Sequence, residues 1–283
     1  MTRAKTLRLY LMDGDGSGRV KCSLANWTGI AYKIPRTMID KCSDLSILNQ
    51  SGVYFLFGTD DNDRPVVYVG QAGSRKNGKG LLLRVKEDHP SIDYWTEAIM
   101  FTTTNNSFGP TEISYLENRF CNLAIQAGRY QVKNGNDPNP GNITEEIECE
   151  LEEYIDYAKI VMGTLGHKVL EPLVSHSDSS DEEPILHMSY GQGKATGKRT
   201  SDGFVVFKGS MINPGETSAC PERARKDREK YAEKIDAQGV LAEDILFSSP
   251  SGAAGFVGGA PINGRDYWKN ENGISLKVLD GQL

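Results

Sequence analysis

The chain has 283 residues, of which 38% are hydrophobic and 25% charged, and its formal net charge is −6. That length holds one large domain or two modest ones, and the composition excludes a disordered chain, a coiled coil and a collagen. No apolar run approaches the roughly 18 residues that a membrane span requires, and the opening MTRAKTLRLYLMDGDG lacks the apolar centre of a secretory signal. Residues 6–35 alternate in short apolar runs around the turn cluster Gly14–Gly18, which predicts a small β unit ending at Pro35. A short helical pattern follows over 36–49. Gly52–Phe57 and Val66–Val69 read as two strands of a hairpin with a long connection through Asp60–Asp63. Leu81–Lys86 suits a helix and Ala98–Thr103 a third strand. Pro110–Gln126 has helical spacing, with Gly128 as its stop. Ile143–Met162 predicts a further helix, acidic in its first half, where the helix dipole favours carboxylates.

Charge is unevenly distributed. Residues 1–50 carry eight basic and four acidic side chains, and residues 141–190 carry two basic and twelve acidic. A DNA-contacting face is therefore compatible with the negative total, because local patches govern counterion release. Residues 172–184, PLVSHSDSSDEEP, have linker composition. Beyond them, Gly203–Lys208 reads as a strand, Cys220–Gln238 as a charged helix, and Tyr267–Lys269 with Ile274–Val278 as a terminal hairpin. The five cysteines (Cys22, Cys42, Cys121, Cys149 and Cys220) are scattered without a C-x-x-C pair. They predict free thiols in a reducing compartment, with the cytoplasm as the expected location and no zinc site.

Residues 51–140 hold the chemistry. Tyr54 and Tyr68 lie one hairpin apart, Arg84 lies on the next helix, and Glu117 lies inside a later helix. Phosphodiester hydrolysis needs a group that activates water, a cation for the developing phosphorane charge, a hard-metal ligand and a close approach of the chain to phosphate. Phenol, guanidinium, carboxylate and glycine can fill those roles. Each residue by itself also fits a plain structural place, as a strand tyrosine or an exposed helix charge.

Taken in order, Gly52-Val53-Tyr54, Tyr68-Val69-Gly70, Arg84 and Glu117 resemble the GIY-YIG nuclease superfamily over residues 51–140, with Val in place of Ile in both tripeptides. The resemblance implies an α+β fold: a small antiparallel sheet flanked by helices. It implies one Mg²⁺ (or Mn²⁺) ion on Glu117, with Arg84 stabilising phosphate charge and Tyr54 or Tyr68 activating or orienting water. Gly70 would let the chain's backbone come close to the substrate, and His89 stands where some members have an assisting histidine. Many members have an asparagine after the glutamate helix, as in the Arg-Tyr-Asn of excision-repair nucleases. Here Arg129-Tyr130 is followed by Gln131, so Asn134 or Asn136 is the candidate amide.

The flanks resemble the same company. Residues 1–50 look like the N-terminal extension of one bacterial subfamily. Residues 200–280 look like the small C-terminal domain of unknown function that follows such nucleases, through Phe207–Ser210, Phe247–Ser251, Ala253-Ala254, Asn263-Gly264 and Trp268-Lys269. The expected division is 1–50 as the β extension, 51–165 as the nuclease-like domain, 166–190 as an acidic linker and 191–283 as a small α+β domain. Arg223, Arg225, Lys226, Arg228 and Lys230, with Trp268-Lys269, fit a DNA-reading module in which Arg225 and Lys226 touch substrate. Interleaved Asp227 and Glu229 fit a solvated helix face equally.

The expected function is Mg²⁺-dependent endonucleolytic hydrolysis of DNA, in repair, restriction or defence, with RNA also compatible. The alternative is a catalytically reduced nucleic-acid-binding or protein-interaction module on the same fold. No membrane partner is expected, and the acidic segment is compatible with a homodimer or a protein partner.

Overall fold

The computed structural model describes residues 3–73, 80–135, 138–174 and 183–281. The fold is α+β, in two compact units, Met1–Pro172 and Leu173–Leu283. In the first unit the strands are β1 (Leu7–Leu11), β2 (Val20–Leu24), β3 (Gly29–Pro35), β4 (Gly52–Thr59), β5 (Pro65–Ala72), β6 (Glu97–Thr103) and β7 (Gln131–Val132). They form one seven-stranded sheet in the order β1-β2-β3-β6-β4-β5-β7. Every pairing is antiparallel except β5 with β7. The sheet is thus neither small nor wholly antiparallel. The strands of residues 1–50 are part of it, because β3 pairs along its length with β6, from Gly29↔Thr103 to Pro35↔Glu97.

Local chemistry explains the elements. In the β4–β5 connection, Asp60 Oδ1 accepts from Asn62 N and Arg64 N while its Oδ2 accepts from Arg64 Nε, so one aspartate closes the turn. Helix α1 spans Leu81–Lys86 and α2 spans Pro110–Ala127, with Pro110 in its first turn. Gly128 ends α2 at φ +65°, its N–H bonding to the carbonyls of Ala124 and Ile125; a side chain there would be strained. Helix α3 spans Glu145–Thr164, and Glu145, Glu146 and Glu148 crowd its positive end. The segment 36–49 forms two 3₁₀ turns, Arg36–Cys42 and Ser46–Asn49.

Alternation along the strands separates two cores. Val53, Phe55, Val67 and Val69 face Ile113, Leu116 and Phe120 of α2 and Tyr154, Ile155 and Ala158 of α3. Tyr54, Leu56 and Val66 face Leu81, Leu82 and Val85 of α1 and Ile39 and Leu48 of the 3₁₀ turns. The candidate site forms on this second face and around the β5 edge.

The second unit holds β8 (Leu186–Tyr190), β9 (Gly193–Thr200), β10 (Gly203–Val206) and β11 (Ile245–Phe247) in an antiparallel sheet ordered β11-β10-β9-β8. Helices α4 (Glu222–Lys230), α5 (Pro250–Gly258), α6 (Gly264–Tyr267) and α7 (Leu276–Asp280) complete it. Two expectations are corrected. The charged helix ends at Lys230 rather than Gln238, where three residues of 3₁₀ turn and the Asp236–Gly239 turn replace it. The terminal hairpin reduces to one bridge, Lys269↔Ser275, around the Asn270–Gly273 turn, because Leu276 begins a helix.

Candidate active site

The β4–β5 register places Tyr54 opposite Gly70 and Tyr68 opposite Leu56, so both tyrosines point to the α1 face. Their ring centroids are 6.3 Å apart, and each lies 5.7 Å from the ring of His89. Gly70 has a different reason from the one expected. A Cβ there would stand 2.4 Å from Cζ and Oη of Tyr54, so the glycine makes room for the tyrosine ring. Tyr54 is fully buried and its hydroxyl has no hydrogen-bond partner among the described residues. Tyr68 is half-buried.

Arg84, in the last turn of α1, is half-exposed and binds Glu87 at 2.7 Å. His89 is buried, and its Nε2 donates to the Arg84 carbonyl at 3.2 Å. It ties the end of α1 to the two tyrosine rings. Burial and the Arg84 charge both push its pKa down, so it is neutral near pH 7.

Glu117 comes from α2, on the opposite face of the sheet, and is half-buried. Its partner is Gln71 of β5, whose Nε2 donates to Glu117 Oε2 at 2.9 Å while its Oε1 accepts from Ser114 Oγ at 3.2 Å. Gln71 and Ser114 were not legible as site residues, since neither belongs to a motif. The only signal was that Gln71 directly follows the Tyr-Val-Gly tripeptide on an edge strand.

The four groups share one electrostatic field. Burial raises the pKa of Tyr54, the neighbouring Tyr68 raises it further, and Arg84 opposes both. Burial and the Glu117 charge raise that of Tyr68, again against Arg84. Burial pushes the Glu117 carboxyl above the usual carboxylate range, while Gln71 and Arg84 pull it down. The structure therefore brings Tyr54, Tyr68, Arg84, Glu117, His89 and Gly70 together.

The remaining candidates stand elsewhere. Asn134 is bonded on both sides of its amide to one backbone residue, Oδ1 accepting from Val69 N at 3.0 Å and Nδ2 donating to Val69 O at 2.7 Å. It extends the short β5–β7 pairing by one side-chain rung, so it is a strand staple and not a free substrate amide. Asn136 lies outside the described residues. Lys226 is exposed and pairs with Glu222 at 3.0 Å, and Arg225 pairs with Glu216 at 3.4 Å.

Two members of the expected DNA-reading set turn inward. Arg228 donates to the carbonyls of Phe256 and Val257 at 2.8 and 3.1 Å, closing the C-terminal end of α5. Trp268 is fully buried, packs tilted against Phe204 with ring centroids 4.5 Å apart and donates Nε1 to the Pro250 carbonyl at 3.0 Å. It cannot stack on a base.

All five cysteines are free. No helix among the described residues is long and apolar enough to cross a membrane. Among the same residues no group of three or more His, Cys, Asp or Glu could hold a metal ion. Glu117 therefore offers a site with one protein carboxylate. Its half-buried position, raised pKa and lack of an ion pair at contact distance among the described residues fit a divalent cation, which would relieve the buried charge. A hard ion that keeps most of its waters suits a single carboxylate.

Comparison with known proteins bears on the second unit. Residues 186–280 match the model of a domain of unknown function, DUF4357. This agrees with the C-terminal resemblance and extends it to β8 and β9. No match to a GIY-YIG model accompanies it, and no curated protein or solved structure matches the chain. The likeness of residues 51–140 rests on their sequence motifs alone.

Proposed function

We propose that the first unit is a Mg²⁺-dependent endonuclease that hydrolyses DNA phosphodiester bonds. The observation that carries the reading is the convergence of two tyrosines, one arginine and one half-buried glutamate where β5 becomes an edge strand. Glu117 would hold the ion, and Gln71 keeps its carboxylate oriented. The ion, when bound, supplies positive charge to the phosphate oxygens.

The chain's own residues divide the remaining work. Arg84 exchanges Glu87 for a non-bridging phosphate oxygen and neutralises the charge that grows there. Tyr68 is the tyrosine that meets solvent, and its Oη accepts a hydrogen bond from the attacking water. Burial and Glu117 keep that phenol neutral near pH 7, so it orients water in the resting state. It can accept the water's proton only as phenolate, after releasing its own proton to solvent, a loss that positive charge beside it favours in the direction Arg84 already acts. Tyr54, closed off from water, sets the position of Tyr68 through ring packing with His89. The role of the second unit in this reading is to help select substrate, through surfaces other than Trp268 and Arg228.

The test is incubation of the full chain with supercoiled plasmid. Nicking with Mg²⁺ and none with EDTA supports the reading. Cleavage that persists unchanged in EDTA counts against it.

A further inference from the structure

In the seven-stranded sheet, β5 is partly closed by β7 and Asn134, but the outer side of β1 has no neighbour among the described residues. Free edges are usually blunted by Pro, bulges, short length or inward charges. Over LRLYL strand β1 carries no Pro and no bulge, its one charge is Arg8, and it displays Leu9, Tyr10 and Leu11 at 48%, 64% and 41% exposure. Its hydrogen-bonding phase is defined. Ala25 N donates to Thr6 O and Met12 N donates to Arg19 O, each at 2.9 Å, so the even-numbered positions bond inward to β2. Leu7, Leu9 and Leu11 therefore turn their N–H and C=O groups to the open edge.

We infer that this edge pairs with itself: two copies of the chain join β1 to β1 in antiparallel register centred on Leu9. In that register Leu9 faces Leu9 of the second copy and Leu7 faces Leu11. All are outward-bonding positions, so three narrow pairs form without a bulge. On the other side of the strands Arg8 meets Tyr10 of the second copy, twice, by symmetry.

The sequence of β1 is self-complementary only in this register. Shifted one way, Arg8 faces Arg8, and like charges directly opposite are destabilising. Shifted the other way, Tyr10 faces Tyr10, the Arg8–Tyr10 pairs are lost, and the overlap shortens by two residues. The centred register gives a leucine ladder on one face and two cation–π pairs on the other. The two-fold axis stands perpendicular to the sheet, as in any closed isologous pair built by strand addition. Both copies then present Tyr54 and Tyr68 on the same face of one continuous sheet.

Five paired residues bury far less than the roughly 800 Å² per partner of a standard interface, so the dimer is weak, with a dissociation constant on the order of micromolar. The inference does not depend on the nuclease reading.

The test is sedimentation of the full chain from about 1 to 200 µM, a range that spans that constant. Wild type should shift from monomer to dimer. Leu9→Lys, which sets two ammonium groups face to face, should raise the dissociation constant by about tenfold or more. Tyr10→Glu, which turns each cation–π pair into an Arg8–Glu ion pair, should lower it. Both positions are exposed, so unchanged unfolding midpoints are expected, and Tyr10→Arg provides a second disrupting variant if Leu9→Lys fails to fold. A monomeric wild type at the highest concentration, or a dimer indifferent to all three substitutions, would overturn the inference. A monomer that loses DNA affinity in Arg8→Glu would overturn it too and assign the edge to nucleic acid.

Discussion

Tyr54→Phe should make the protein more stable. A buried tyrosine hydroxyl normally has a partner, and removing it costs stability. Tyr54 Oη is fully enclosed and makes no hydrogen bond of normal geometry among the described residues, although the Tyr68 hydroxyl is near enough to interact with it. A buried polar group without a partner carries a desolvation cost of about 1–3 kcal/mol. Phenylalanine keeps the ring and its packing against Tyr68 and His89. The expected gain is about 1–2 kcal/mol, which raises Tm by about 2–8 °C for a unit of this size. Differential scanning calorimetry of the full chain resolves the transition of the first unit, and Trp268→Phe identifies that of the second. A fall in Tm would refute the reasoning, because it would mean the hydroxyl is satisfied in solution. Because phenylalanine keeps the ring packing that positions Tyr68, the same variant should retain cleavage.

Other expectations follow from the same contacts. Asn134→Ala removes two hydrogen bonds to Val69 and should cost about 1–3 kcal/mol, read as a lower Tm, with DNA affinity changed no more than the folded fraction explains. Arg228→Ala removes two hydrogen bonds at the end of α5, leaving the Val257 carbonyl still bonded to Asn213 N, and should destabilise the second unit by about 1–3 kcal/mol, whereas Lys226→Ala on the same helix should stay within about 0.5 kcal/mol in urea unfolding.

Two carboxylates should show opposite pH dependence. Glu117 has a raised pKa, so its ionisation costs stability that is lost as pH rises from the unfolded value through the folded one. Glu117→Gln should be stabilising at pH 7.5 and lose that advantage toward pH 4. Glu97 is held below the usual range, despite burial, by His167 at 2.6 Å and Lys33 at 3.1 Å. Its contribution is present above the unfolded pKa and is lost as pH falls through the folded one. Glu97→Gln should therefore be destabilising at pH 7.5, with the difference shrinking in acid. Paired melting curves across pH check both signs.

Much of the fold was legible because local signals agreed. Leu81–Lys86 is the helix its spacing implied, and α2 runs from Pro110 to Ala127 with Gly128 as its left-handed stop. Pairing between distant strands was not legible. Nothing local says that β3 should pair with β6, yet that pairing draws residues 1–50 into the main sheet. Strands β8 and β9 were missed because LHMSY and GKATGKRT hold too few apolar positions to show a period. Helix α5 had signals that could have found it: Ser249 as its N-cap, Pro250 at its first position and Gly259 past its end.

In the site, Tyr54, Tyr68, Arg84 and Glu117 were legible as a spaced set. The roles of Gly70, His89 and Asn134 were not, because each depends on a cross-strand neighbour that only the register supplies. Trp268 and the arginines of α4 show the converse. A sequence cluster of cations and an aromatic looks like a nucleic-acid surface until Arg228 and Trp268 are seen bonded to backbone carbonyls.

The measurement closest to the central claim compares wild type with Glu117→Ala on one labelled DNA in Mg²⁺, recording cleavage and binding together. The account predicts that cleavage disappears while affinity remains within a few-fold of wild type. Cleavage retained by Glu117→Ala would contradict it, because Glu117 is the carboxylate to which the account assigns the ion.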